Sequence, residues 1–217
     1  LDSIFLPVEF QLGDLLQPSK DVVQLLLDHS KRIELDSRSD VGNTACMLAC
    51  ESGHNDVDLD SKNIEVNARI NGLTAFMWAC VDGQKDVVKL LLDNSERIEL
   101  NARTINGWTA YMRACENGHT NVVKLLLDHS DSKNIELNAR SNQGSTALMM
   151  ACKNGHKDVV QLLLNHSNPR IEINATDDND TTAFIMACKK GHKDIVKLLL
   201  ERSDIDISAG TETFQEN

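Results

Sequence analysis

The chain repeats a short segment of its own sequence, and this repetition constrains the fold more than any other feature. A seven-residue segment that begins Thr-Ala and ends in Cys occurs five times, at residues 44–50, 74–80, 109–115, 146–152 and 182–188. Each copy is followed by a Gly-His or Gly-Gln pair, and the last four are then followed by a segment rich in Val and Leu. Units of this size bury a continuous core only by stacking on their neighbours, so the pattern predicts a solenoid.

One unit shows why each copy predicts two helices. Residues 109–115 predict a short helix whose small side chains let neighbouring helices approach closely. Gly118 ends this helix, because glycine adopts the left-handed backbone that closes a helix at no steric cost. Residues 122–127 then place Val and Leu at helical spacing, which is typical of a second helix with one apolar face.

These residues resemble the ankyrin repeat, whose pattern is Gly-x-Thr-Pro-Leu-His-x-Ala-Ala, then Gly-His, a Val/Leu-rich second helix and a Val-Asn turn. The resemblance covers residues 20–208. It implies an all-α solenoid of helix-turn-helix units with hairpin loops, about five to six repeats long, that binds other proteins. The matching positions are 107–109 and 144–146 for the opening, 118–119 and 155–156 for the centre, and 100–101 and 137–138 for the end.

The chain departs from this pattern in three ways. Ala replaces the family's Pro in all five copies, and Met or Ile replaces its His, which removes the usual side-chain hydrogen bonding there. Ser replaces the Gly that closes the second helix, so we expect a different helix exit. Residues 135–139 alternate apolar and polar side chains, which predicts a short extended stretch before the hairpin.

The repeat register divides the chain into seven segments. The first is expected to be a degenerate capping repeat and the second a truncated one, because the stretch that matches residues 123–128 is missing after His54. The segments are the capping repeat 1–36, the truncated repeat 37–67, the repeats 68–102, 103–139 and 140–175, the C-terminal repeat 176–208 and the tail 209–217.

Composition argues against several other classes of protein. The formal net charge of −11 argues against nucleic acid as the main partner, because phosphate binding draws on an excess of Lys and Arg. No apolar run approaches the roughly 18 residues of a membrane span. The six cysteines lack metal-type pairing, and stacked repeats hold them too far apart for disulfides. No residue is set apart as catalytic, and no cofactor or metal is expected. We predict an intracellular, cytoplasmic monomer.

The resemblance implies that hairpin tips and first helices on the concave side hold the partner. Trp108 stands out at the tips, since Leu73 and Ser145 hold its position in the neighbouring repeats. It either contacts a partner or covers the adjacent hairpin. A second row consists of the residue that follows the Met or Ile position in each copy, namely Leu48, Trp78, Arg113, Met150 and Met186. This row either packs beneath the hairpins or forms an apolar groove. The candidate partner-binding residues are Trp78, Ile105, Asn106, Trp108, Arg113, Asn142, Gln143, Ser145 and Met150.

The function predicted from the sequence is therefore a module that binds a protein or peptide. Two alternatives stay open. The chain lacks an initiator Met and has a shortened second repeat, so it could be an engineered or fragmentary repeat scaffold without a natural partner. It could also be the accessory recognition domain of a larger enzyme, because ankyrin folds share an architecture and not a target.

Overall fold

The computed structural model describes residues 67–70, 72–129, 134–166 and 171–208, together with Met47, Cys50 and Gly53. The predicted capping repeat, nearly all of the truncated repeat and the tail lie outside these residues. The described ranges contain no β-strand, which confirms the all-α architecture for this part of the chain. Their helices are α1 (Ala75–Val81), α2 (Lys85–Asp93), α3 (Ala110–Glu116), α4 (Thr120–Asp128), α5 (Ala147–Asn154), α6 (Lys157–Asn165), α7 (Ala183–Lys190) and α8 (Lys193–Leu200), with a 3-10 turn at Ser95–Arg97.

In each of the four units whose helices are described, the first helix begins after the repeated threonine. The Thr109 hydroxyl accepts a hydrogen bond from the Met112 amide at 3.3 Å, and Thr146 accepts one from Met149 at 3.4 Å. Thr74 and Thr182 cap α1 and α7 in the same way. Such a cap satisfies one of the unpaired amides at a helix start and contributes about 1 kcal/mol.

The second helices begin one residue after Gln84 or after a histidine, and they bury a stripe of Val and Leu. In α4 the buried side chains are Val122, Val123, Leu126 and Leu127. The helix ends at Asp128, and its C-cap residue His129 has right-handed backbone, whereas Ser130, where a different helix exit was expected, lies outside the described residues. In α2 the exit continues instead into the 3-10 turn.

The helices stack in two layers. Each first helix contacts the next first helix, so α1, α3, α5 and α7 form one layer. The second helices α2, α4, α6 and α8 form the other, and each pair of one unit is also in contact. The core lies between the layers and runs as one continuous cluster through the units. The predicted solenoid is therefore present in the described residues.

The extended stretch predicted at residues 135–139 is wrong. The Ala139 amide donates to the Glu136 carbonyl at 3.3 Å, which closes a turn. Ile135, Leu137 and Ala139 are nevertheless buried, at 7%, 3% and 7% exposure. The alternation of apolar and polar residues therefore arises from a turn that directs every second side chain inward, and it gave the correct burial with the wrong backbone.

Asparagines join this turn to the same turn in the next unit. The Asn101 side chain donates to the Asn134 carbonyl at 2.7 Å and accepts from the Glu136 amide at 3.0 Å. Asn67 makes the matching pair of bonds with the backbone of residues 97 and 99. A single side chain thus satisfies a backbone donor and a backbone acceptor of its neighbour, which fixes the spacing of the units.

Candidate partner-binding surface

The hairpins between units are joined tip to tip. The Asn142 amide donates to the Asn106 carbonyl at 3.0 Å, and the Asp178 amide donates to the Gln143 carbonyl at 3.1 Å. The Asn142 side chain also donates to the Ile105 carbonyl at 2.9 Å. We call the joined residues 104–108, 141–145 and 177–181 the tip ribbon. Its backbone is held across three units and does not consist of independent loops.

A short polar side chain closes each hairpin of the tip ribbon. The Thr104 hydroxyl accepts from the Trp108 amide at 3.1 Å, and the Ser141 hydroxyl accepts from the Ser145 amide at 3.1 Å. The Asp177 carboxylate accepts from the amides of Asn179 and Thr181. A short polar side chain that accepts hydrogen bonds from nearby backbone amides competes with helices and strands for those amides. Such residues therefore favour turns. These bonds hold the exposed residues between them in place.

The predicted tip residues separate into an exposed set and a buried one. Ile105 is 83% exposed, which is unusual for a side chain of its size. Asn106, Asn142 and Gln143 are also exposed. Ser145 is 7% exposed, so it lies beneath the tip ribbon. The structure therefore places Ile105 as the apolar residue most accessible to a partner on this surface.

Trp108 and Arg113, which follow Ile105 in the same unit, form a stacked pair. The guanidinium carbon of Arg113 lies 4.5 Å from the centroid of the Trp108 ring, and its Nη1 lies 2.8 Å from Glu116 Oε2. Trp108 is half-buried and packs against the core, so only part of its side chain faces solvent. Its ring and the planar guanidinium form a rigid, amphipathic platform.

The two remaining predicted residues lie deeper. Trp78 is half-buried and packs against the core, and its indole nitrogen has no hydrogen-bond partner among the described residues. Met150 is 4% exposed and belongs to the core. The row that the sequence suggested as a groove is thus buried at Met150 and half-open at Trp78 and Arg113.

The charges on the first helices change sign along the array. Asp82 directly follows α1, and Glu116 is the last residue of α3. Lys153 lies in the last turn of α5, and Lys190 is the last residue of α7. Burial raises the pKa of the Asp82 carboxyl, and the nearby His119 opposes this shift. The charged residues at these helix ends therefore differ in sign between the first two described units and the last two.

Three arginines that were not predicted from the sequence, Arg69, Arg103 and Arg140, support the tip ribbon. Arg103 donates to the Arg140 carbonyl at 2.7 Å and pairs with Glu136 at 2.9 Å. Arg69 bonds the Arg103 carbonyl and pairs with Glu99 in the same way, and Arg140 donates to the Thr176 carbonyl. The recurring tripeptide Asn-Ala-Arg at 67–69, 101–103 and 138–140 was the available signal.

Four of the five described cysteines are buried. Cys50, Cys80, Cys115 and Cys152 are free and buried, and burial raises the pKa of the last three thiols. Cys188, by contrast, is exposed. It lies in the last described unit, and no later unit among the described residues packs on it. Among the described residues, no group of His, Cys, Asp or Glu is arranged to hold a metal ion.

Comparisons with known proteins agree with this architecture. A family model described as ankyrin repeats (3 copies) matches residues 55–140 and 133–210, which together make up more than two thirds of the 217 residues. No curated protein matches the chain. Within the described ranges, no helix has the length and apolar character needed to cross a bilayer.

Proposed function

Because the chain belongs to the ankyrin repeat family, we propose that it binds a partner protein or peptide through its tip ribbon and first helices. Ankyrin repeats generally mediate protein–protein interaction, and proteins built from them are typically binding modules. The free, buried thiols suit the reducing interior of a cell, where we place this interaction.

The single observation that carries this proposal is Ile105, which is 83% exposed between two residues, Thr104 and Asn106, whose backbone groups are hydrogen-bonded. Exposed apolar residues on rigid backbone lose little entropy when a partner covers them. The Trp108–Arg113 stack supplies the aromatic and arginine groups that most often dominate interfaces. Asn106 and Gln143 provide polar groups around this apolar centre.

We therefore assign Ile105, Trp108 and Arg113 as the centre of the contact. Asn106, Asn142 and Gln143 form its polar rim, and Trp78, Ser145 and Met150 support it from below. Asn142 contributes chiefly through its backbone bonds, because its side-chain amide is already engaged by Ile105. Arg113 contributes its planar guanidinium as a packing surface and hydrogen-bond donor more than it contributes net charge, because Glu116 neutralises its charge.

The proposal is tested by placing a photoreactive amino acid at position 105 and, as a matched control, at position 124. Lys124 is exposed on the second helix of the same unit, outside the tip ribbon. After irradiation in cells that express the chain, a discrete protein adduct is expected at 105 and not at 124. The adduct is then identified and purified for binding measurements.

Affinity for the identified protein supplies the second half of the test. Ile105→Ala and Arg113→Ala are each expected to weaken binding by about 30-fold, the effect of losing roughly 2 kcal/mol at an interface centre. Lys124→Ala should leave the affinity unchanged. Equal adducts at the two positions, or tip-ribbon variants that bind as tightly as wild type, would contradict the assignment.

A further inference from the structure

The outer side of the last described unit has the composition of a surface that is buried elsewhere in the array. Leu148 is 1% exposed and Cys152 is 0% exposed in the preceding unit. The matching residues, Phe184 and Cys188, are half-buried and exposed. The difference comes from position and not from chemistry, because both units carry apolar residues there.

The second helix and the turn that follows it show the same contrast. Leu164 is 7% exposed, whereas the matching Leu200 is 53% exposed. Ile173 is 7% exposed, whereas Ile207 is 57% exposed. We call the surface formed by Phe184, Cys188, Val196, Leu200 and Ile207 the end face. Terminal repeats of a solenoid usually carry polar residues on this side, because they face water.

The other side of the described array is already occupied. A Cβ added at Gly53 would lie 2.4 Å from Oε1 of Gln84, so the unit that contains α1 and α2 packs on the residues before it. At the opposite end, a Cβ added at Gly191 would meet nothing within 4 Å, whereas the matching Gly155 is covered by the His192 ring. The end face is therefore the uncovered inter-unit surface of the described residues.

The charges beside the end face are self-complementary. Lys197 and Glu201 are exposed on and just after α8, one turn apart, and neither side chain has an ion pair with another described residue. If two α8 helices pack antiparallel about a two-fold axis, Lys197 of each copy faces Glu201 of the other. Adjacent second helices within the chain already use such a pair, since Lys157 lies 3.8 Å from Asp194.

We propose that two copies of this chain associate through the end face, with their α8 helices antiparallel across a two-fold axis. Burial of Leu200, Ile207 and Phe184 against the same residues of the second copy removes exposed apolar surface from water. The charge pairs set the register and select the antiparallel arrangement. An isologous interface of this kind closes at two copies, because each copy has one end face. The monomer expected from the sequence is the competing outcome.

Light scattering coupled to size-exclusion chromatography measures the mass directly. At micromolar concentration the full chain is expected at twice its 24.1 kDa mass. Leu200→Lys should shift it to the monomer, because the lysine would place a charge in the interface. Asn121→Lys is the matched control, since it adds the same charge at an exposed residue of α4, outside the end face and the tip ribbon, and it should remain a dimer.

A charge exchange tests the antiparallel geometry. Lys197→Glu and Glu201→Lys should each weaken association by at least about 10-fold, because each creates two like-charge contacts. An equimolar mixture of the two variants should associate as tightly as wild type, because both contacts then pair opposite charges. The Cys188 thiol should react with a maleimide more slowly in wild type than in the Leu200→Lys variant.

The proposal would be overturned by a 24.1 kDa species at every concentration with a fully reactive Cys188. Growth beyond two copies, or dimers that survive Leu200→Lys, would also overturn it. A mixture of the two charge variants that associates no better than either alone would refute the antiparallel arrangement. Circular dichroism of each variant verifies that the helices are retained.

Discussion

Replacing Gly118 by alanine tests why each unit has a glycine between its two helices. Gly118 has a φ of +74°, and a Cβ added there would lie 2.4 Å from Nδ1 and 2.7 Å from Cε1 of His156, in the next unit. Gly191 has the same φ of +74°, but its Cβ would meet nothing within 4 Å. The two positions therefore share the backbone requirement and differ in the imidazole ring.

The structure sets the size of each contribution. Both alanines must occupy left-handed backbone, which costs about 1–2 kcal/mol. At Gly118 the ring must also move, which breaks the 2.7 Å bond from His156 Nε2 to the Glu116 carbonyl, worth about 1 kcal/mol. That carbonyl keeps its 2.9 Å bond from Asn154, so no buried acceptor is left unpaired. We expect a loss of about 1–2 kcal/mol for Gly191→Ala and about 2–3 kcal/mol for Gly118→Ala.

Urea denaturation followed by far-ultraviolet circular dichroism gives the free energy of unfolding. Both variants are compared in the Leu200→Lys background, so that self-association at Gly191 does not contribute. The Gly118→Ala/His156→Ala double variant completes a cycle, because removing the ring removes the clash and leaves the backbone cost. A coupling energy of about 1–2 kcal/mol is expected. Equal destabilisation by the two glycine variants, or a strictly additive double variant, would show that the ring is not the reason.

Three further predictions follow from the described contacts. Thr146→Ala should lower the free energy of unfolding by about 1 kcal/mol, because α5 loses its cap, and Thr146→Ser should restore most of it; a Ser variant as unstable as Ala would contradict this. Arg103→Ala should speed amide hydrogen exchange in residues 140–145, because the 2.7 Å bond to the Arg140 carbonyl is lost, whereas Lys124→Ala should not; unchanged exchange would argue against a support for the tip ribbon. Burial raises the pKa of the thiols of Cys80, Cys115 and Cys152, so the folded state keeps protons that the unfolded state releases. The contribution of these thiols to the free energy of unfolding should be fully present below about pH 8.5, and the free energy of unfolding should fall above it by about 1.4 kcal/mol per pH unit for each thiol. In the Cys115→Ala variant it should fall less steeply with pH; identical slopes would refute the linkage.

The local structure of each unit follows from a few residues that act over short distances. Thr109 could be assigned as a helix start and Gly118 as a helix end, because capping and left-handed turns depend on the chemistry of single residues. The burial of Ile135 and Leu137 was correct as well, although the turn between them was not. Alternation reports which side chains point inward, and both a strand and a turn produce it.

The candidate surface was predictable in position and less so in accessibility. Tip residues such as Ile105 and Asn142 were named correctly as lying on the hairpins. Whether a side chain at a tip is reachable depends on neighbours more than thirty positions away, so Ser145 and Met150 turned out to be buried. The supporting bonds of Arg103 also join distant segments, and the recurring Asn-Ala-Arg tripeptide marks their position without giving their partner.

The sequence by itself determined that this chain folds as stacked helix pairs, because a repeated apolar stripe can be buried only against a copy of itself. The tertiary structure decided which copies are covered. Cys152 and Cys188 occupy the same repeat position in closely similar local sequences, yet one is buried and the other exposed. Burial in a solenoid is set by the unit stacked on each face, and that neighbour is a property of the assembled array and not of the local sequence.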